Sequence, residues 1–294
     1  MSYDLFFKPR KSDDSAQDFA KYFSARQHYE VTETQALYQN EDTGVYFVFD
    51  LQNEPDEDEE ADGAEVETYP VALNLNYFRP TFFGLEAEPE VAAFVQAFEM
   101  TVSDPQDKMR NGKYDSKKFL AGWNHGNEFG YSAILRDPDS RSDIISCPGA
   151  KLLKAWEWNR NREQLQNEFG ESLFVPMVMF ILVDGNLMTV AVWPDGIPIA
   201  TTPVDCFFVQ RKELAPRRGR KRIEDQTLVA WKDALTILKR HQSRRSDGVL
   251  ALGYDTPPAD VQEFVESLPP DARKLERVAP DRVLNQELVE KYSP

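Results

Sequence analysis

The apolar positions of this chain follow two periods. Alternation marks half-buried strands, and spacing of three and four marks helices with one buried face. Tyr3 to Lys8 reads as a first strand. Asp14 or Ser15 can cap a helix whose apolar face is Ala16, Phe19, Ala20 and Phe23. Tyr29 to Gln39 and Gly44 to Leu51 read as a hairpin turning over Asn40 to Gly44, and Val45 to Phe49 is β-branched and aromatic as buried strands tend to be. Val71 to Phe78 alternates. After Pro80 a helix places Val91, Phe94, Val95 and Phe98 on one face, and Met100 to Ser103 reads as a closing strand. This order fits a small antiparallel sheet with helices on one face, and a ferredoxin-like arrangement is one candidate for it.

A polar stretch, Pro105 to Gly112, reads as a boundary. The chain is therefore divided into an acidic α+β domain, residues 1–108, and a second α+β domain, residues 109–294. In the second, Phe119, Leu120, Trp123, Tyr131, Ile134 and Leu135 support a helix that carries Gly122, Gly126 and Gly130 at every fourth position. Each glycine inside a helix costs about 0.5–1 kcal/mol against alanine, so such a row implies close approach of another backbone, or else a helix broken near Gly126. A second helix spans Ala150 to Phe169. Val175 to Val183 and Leu187 to Trp193 form a hairpin turning at Asp184-Gly185-Asn186. Ile197 to Thr201 and Val204 to Gln210 read as further strands, and the rest as two amphipathic helices, around Leu235 and Val261, with a tail of short helices and loops. The expected fold class is α+β, with two antiparallel β-sheets each flanked by helices.

Charge changes this picture more than composition does. The formal net charge is −16, and residues 1–110 hold 8 Lys+Arg against 24 Asp+Glu, while the remainder balances. Such a half repels nucleic acid and anionic membrane and attracts cations or basic proteins; acidity also keeps a protein soluble, so both roles fit. The densest part is Glu54 to Glu67, nine acids in fourteen residues, which reads as an exposed mobile loop at 54–67. It lacks the spacing of a calcium loop. The chain has no apolar run of 18 residues, no basic-then-apolar leader at its start and two distant cysteines, Cys147 and Cys206. No membrane partner and a reducing, cytoplasmic location are therefore expected.

Candidate chemistry is sparse. His28, His125 and His241 form no metal-ligand pair, and no nucleotide loop or nucleophile elbow is present, so no metal and no cofactor are expected. The best polar constellation is Trp123, Asn124, His125, Asn127 and Glu128, where His plus Glu could do acid–base work. The competing and favoured reading is a polar helix face meeting a neighbouring domain. Arg217 to Arg222 is a basic loop without interleaved aromatics, read as solvated or as a salt link to the acidic N-terminal half rather than as a nucleic-acid footprint.

Met1-Ser-Tyr-Asp-Leu-Phe-Phe7 resembles the start of small acidic cytosolic proteins encoded beside bacterial contact-dependent and secreted toxins. Asn74 to Pro80, Gly122 to Gly130 and Ala191 to Pro198 resemble an uncharacterised bacterial family spanning most of the chain. The first resemblance implies an immunity-type protein that binds and blocks a basic toxin partner. Asp56, Glu57, Asp58, Glu59 and Glu60 would steer the encounter, and Tyr77 and Phe82 would anchor it, unless those aromatics belong to the core. An enzyme using the Trp123–Glu128 region, and a scaffold protein of a bacterial assembly, are the alternatives. Deleting residues 54–66 is expected to leave the thermal unfolding midpoint nearly unchanged; a large drop would mean that the run is structural or holds an ion.

Overall fold

A computed structural model describes residues 1–10, 15–52, 70–107, 109–139, 144–218, 221–243 and 248–293. The acidic run lies outside them. Among the described residues the chain runs β1 (Ser2–Pro9), α1 (Ser15–Ser24), β2 (Tyr29–Val31), β3 (Gln35–Asn40), β4 (Val45–Leu51), β5 (Val71–Asn76), α2 (Phe82–Ala97), β6 (Met100–Asp104), β7 (Met109–Gly112), α3 (Ser116–Leu135) and β8 (Ile145–Cys147). It continues through α4 (Gly149–Arg160), α5 (Arg162–Phe169), β9 (Val178–Val183), β10 (Asn186–Val192), β11 (Ala200–Thr201), β12 (Cys206–Arg211), β13 (Arg217–Arg218), β14 (Lys221–Arg222) and β15 (Asp225–Ala230). It ends with α6 (Trp231–His241), β16 (Gln242–Ser243), β17 (Leu250–Leu252), α7 (Ala259–Ser267), β18 (Leu275–Val278), β19 (Val283–Asn285) and α8 (Gln286–Tyr292). The fold is α+β.

The chain falls into two compact units, residues 1–149 with 281–294, and residues 150–280. The first is built on a seven-stranded antiparallel sheet of order β2-β3-β4-β5-β1-β6-β7. Its inner strands, β6-β1-β5-β4, have the order and senses of a ferredoxin-like split βαβ, extended by β3 and β2 on one edge and β7 on the other. Tyr3, Leu5 and Phe7 alternate onto one face and are buried. On that face α1 and α2 bring Phe23 and Phe94 onto Phe49 and Phe7, with ring centroids 4.9–5.6 Å apart. The buried Glu86 of α2 accepts from Tyr38 Oη (2.8 Å), Asn40 Nδ2 (2.7 Å) and Thr43 Oγ1 (3.0 Å), which ties the β3–β4 hairpin to the helix.

This division does not coincide with the boundary read at 108/109. The polar stretch Pro105–Gly112 is the turn and edge strand that follow β6, since β7 pairs with β6. Helix α3 then lies on the first sheet. Its N-cap, Asp115, accepts from the amides of Lys117 (2.9 Å) and Lys118 (3.0 Å), and the helix runs unbroken through its glycines. A Cβ at Gly122 would stand 2.7 Å from the Tyr3 hydroxyl, at Gly126 2.1 Å from the Tyr77 ring, and at Gly130 3.2 Å from the Phe78 amide nitrogen. The row therefore meets backbone at Gly130 and aromatic rings at the other two. The C-terminal segment returns to this unit: β19 pairs in parallel with β8, and Asn285 Oδ1 accepts from the Thr81 amide at 2.8 Å.

The second unit holds a five-stranded sheet of order β15-β12-β10-β9-β18. The β9–β10 hairpin turns as expected, with positive φ at Asp184 (49°) and Gly185 (84°) matching a type I′ turn. One pairing departs from the expected antiparallel sheet. Strands β10 and β12 are parallel, because the chain between Val192 and Cys206 crosses over rather than turning back. The expected single helix over 150–169 is two, α4 and α5. The buried Arg211 grips Asp225 through two bonds of 2.7 and 2.8 Å and donates to the carbonyls of Val265 and Leu268 at the end of α7. Because the Gly126 site already touches a ring, Gly126→Leu should lower stability by about 1–3 kcal/mol in urea unfolding. A variant as stable as the parent would contradict the packing of Tyr77 on α3.

Candidate functional site

Lys118, Ala121, Gly122, His125, Gly126 and Phe129 recur at three- and four-residue spacing, so they form one stripe along α3. Tyr77, just beyond β5, faces this stripe from one side. Asp104, Gln106 and Asp107, at the β6–β7 turn, face it from the other. Together they enclose a cavity of about 400 Å³, inside the range of ordinary ligand sites, about 300–1,000 Å³. The small residues of the stripe let the rings of Tyr3 and Tyr77 lie against the helix backbone.

Asp104 is 4% exposed. Its carboxylate accepts from Tyr3 Oη at 2.6 Å and from the amides of Gln106 (2.9 Å) and Asp107 (3.3 Å). These donors are neutral, so they satisfy the oxygens without cancelling the charge. The field is felt nearby. The Tyr77 hydroxyl is pushed up to about 12, first by burial and then by the charges of Asp104 and Asp4. Tyr3 is raised as well, by burial and by its bond to Asp104. At the mouth stand exposed Lys118, Asp107, His125 and Phe129, the last 62% exposed.

The five residues read as a polar constellation do not converge, because consecutive helix residues point about 100° apart. Trp123 is fully buried against Gly84 of α2, and its Nε1 finds no hydrogen-bond partner among the described residues. Asn127 is buried and serves the backbone: it accepts from the Arg79 amide (3.1 Å) and donates to the Arg79 carbonyl (2.9 Å). Glu128 accepts from Lys291 Nζ (2.7 Å) and from Tyr292 Oη on α8, bonds that hold its carboxyl below the usual range. Asn124 faces solvent, and His125 alone of the five lines the cavity. No His125–Glu128 hydrogen bond forms to support acid–base work.

Of the two proposed anchors, Tyr77 is half-buried on the cavity wall. Phe82 is corrected: it is 2% exposed and sits beside Phe83 at the start of α2, so it belongs to the core. Asp56, Glu57, Asp58, Glu59 and Glu60 lie outside the described residues. Asp104, Asp107, Lys118 and Phe129 were not anticipated. The helical spacing of Lys118 and Phe129 with the glycine row was the available signal; Asp104 had none, since strand pairing brings it there. Among the described residues no helix is long and apolar enough to cross a membrane, and no three His, Cys, Asp or Glu gather as a metal site. A second cavity, about 600 Å³, lies in the other unit between the Gly170–Phe174 loop and Ile197, Pro198 and Asp255.

No family model, curated protein or solved structure matches this chain. The site must therefore be judged on its own geometry. Asn127→Ala leaves the Arg79 amide without its acceptor and the Arg79 carbonyl with Tyr131 Oη alone of its two side-chain donors. It should cost about 1–3 kcal/mol in urea unfolding, and an unchanged midpoint would show that water replaces the amide without penalty.

Proposed function

We infer that this chain is a protein-binding protein whose first unit receives a basic partner, in the manner of an immunity-type inhibitor. The observation that carries this reading is the α3 cavity, lined by an exposed phenylalanine and by a buried carboxylate that meets only neutral donors among the described residues. Charge supports it. The first unit holds 15 Lys+Arg against 32 Asp+Glu, a net of −17, whereas the second has 19 against 18. The compositional mark of a binding patch is an aromatic core within a polar rim. Aromatic residues set in desolvated pockets commonly carry most of the binding energy.

A second reading, an enzyme acting on a small molecule, draws on the same cavity and on His125 in its wall. Against it, among the described residues none hydrogen-bonds the imidazole or fixes its tautomer for proton transfer. The protein-binding reading needs no such activation.

The test is kinetic. A partner captured from the source cell should carry a basic surface, and its association should slow as salt rises, because screening shortens the reach of exposed charges to about 8 Å near physiological ionic strength. Replacing Asp56, Glu57, Asp58, Glu59 and Glu60 with Ser should lower the on-rate and leave the off-rate largely alone. A partner that binds at the same rate in low and high salt overturns the steering role and leaves the acidity as a solubility device.

A further inference from the structure

We propose that the α3 cavity receives the guanidinium of an arginine side chain presented by the basic partner. This rests on the protein-binding reading and adds the residue the partner must bring.

Charge sets the sign of the occupant. Among the described residues the Asp104 carboxylate, 4% exposed, meets only neutral donors and no cation. Asp107 adds a second negative charge at the mouth. Lys118 opposes them with one positive charge at the rim, and His125 would add another only when protonated. Among the described lining residues two carboxylates stand against one ammonium. The upward shift of Tyr77, burial first and then Asp104 and Asp4, agrees with a negative field on the cavity wall.

Shape selects arginine among cations. Tyr77 and Phe129 both line the cavity, with Ala121, Gly122 and Gly126 giving room beside them. A guanidinium is planar and more weakly hydrated than an ammonium, stacks on a ring face, and directs its N–H donors outward from the edge. An ammonium would lose more hydration in the same place. Exposure selects a protein as its source. A free cation seated in the cavity leaves Phe129 facing water, whereas a protein surface carrying the arginine covers that ring as it docks.

The experiment is a two-dimensional NMR titration of the full chain with N-acetyl-arginine amide, and with N-acetyl-citrulline amide as the uncharged isostere. The arginine probe should move the amides of Gly122, His125 and Gly126. The citrulline probe should bind about tenfold more weakly or worse, the scale of losing one charge-assisted hydrogen bond. Ala121→Trp, at an exposed position on the cavity wall, should remove the arginine response while the thermal midpoint holds. It should also raise the off-rate of the captured partner about tenfold or more, the measure of one lost anchor. No shift with arginine, or equal shifts with both probes, overturns the proposal. So does an Ala121→Trp variant that loses the arginine probe yet keeps the partner's off-rate, since the cavity would then serve a free cation. If that off-rate is unchanged while association still slows with salt, the protein-binding reading stands without the cavity. If the salt dependence is absent too, that reading fails as well.

Discussion

The first unit depends on one close approach, that of helix α3 to the chain reversal at Tyr77-Phe78-Arg79. Phe78 sits at φ 58°, a region that costs a non-glycine residue energy unless its surroundings hold it there. They do. The Phe78 backbone lies against Gly130, Asn127 takes both the amide and the carbonyl of Arg79, and Tyr131 Oη donates to the same carbonyl at 3.2 Å. Any side chain at Gly126 would push Tyr77 off the helix. Without that ring in place the cavity loses one wall, so the glycine row, costly for the helix alone, is what makes the site concave.

The same logic appears at three buried charged groups. Glu86 is surrounded by three neutral donors, Arg211 by a carboxylate and two carbonyls, and Asp104 by a tyrosine and two amides. Burying a charge without such bonds is expensive, and removing one partner of a buried pair leaves the other unsatisfied. Two of the three differ in where they sit. Arg211 is neutralised by Asp225 and locks β12 to α7 as structure. Asp104 meets only neutral donors among the described residues and lines an open cavity, which is the position from which a carboxylate can act on something outside the protein.

Local pattern made much of the fold legible, and long-range pairing accounts for the rest. Phe19 and Phe23, Val91 and Phe94, and the Asp184-Gly185 turn all stand where periodicity and turn chemistry placed them. The ferredoxin-like order was open to inference because two helices interrupt a run of alternating strands. What local pattern could not show was the parallel pairing of β10 with β12, strand β15, and the return of β19 and α8 to the first unit; these are contacts between distant segments. Of the two readings left open for Phe82, anchor or core, the core holds for a related reason. Phe82, Phe83 and Gly84 are all buried, so the start of α2 is covered on several sides and shows no polar face. In the site, Gly122, Gly126 and His125 were legible on one helix, but Asp104 reaches them through a hydrogen bond to Tyr3, 101 residues away in sequence.

The distribution of charge and the geometry of the cavity act over different ranges, and both are needed. A net of −17 on one unit creates a field felt beyond contact distance; it raises encounter rates with a basic surface and carries no information about which residue docks. Discrimination has to come from groups held still. Asp104 is held by Tyr3, the Tyr77 ring by Gly126, and the reversal behind Tyr77 by Asn127 and Gly130. A binding group already fixed in place loses little entropy when its ligand arrives, which is the usual gain from preorganisation. In the proposed reading, the acidic sequence governs how often a basic partner arrives. In the same reading the glycine row, by setting Tyr77 against α3 in the cavity that Asp104 also lines, governs which side chain of that partner can stay.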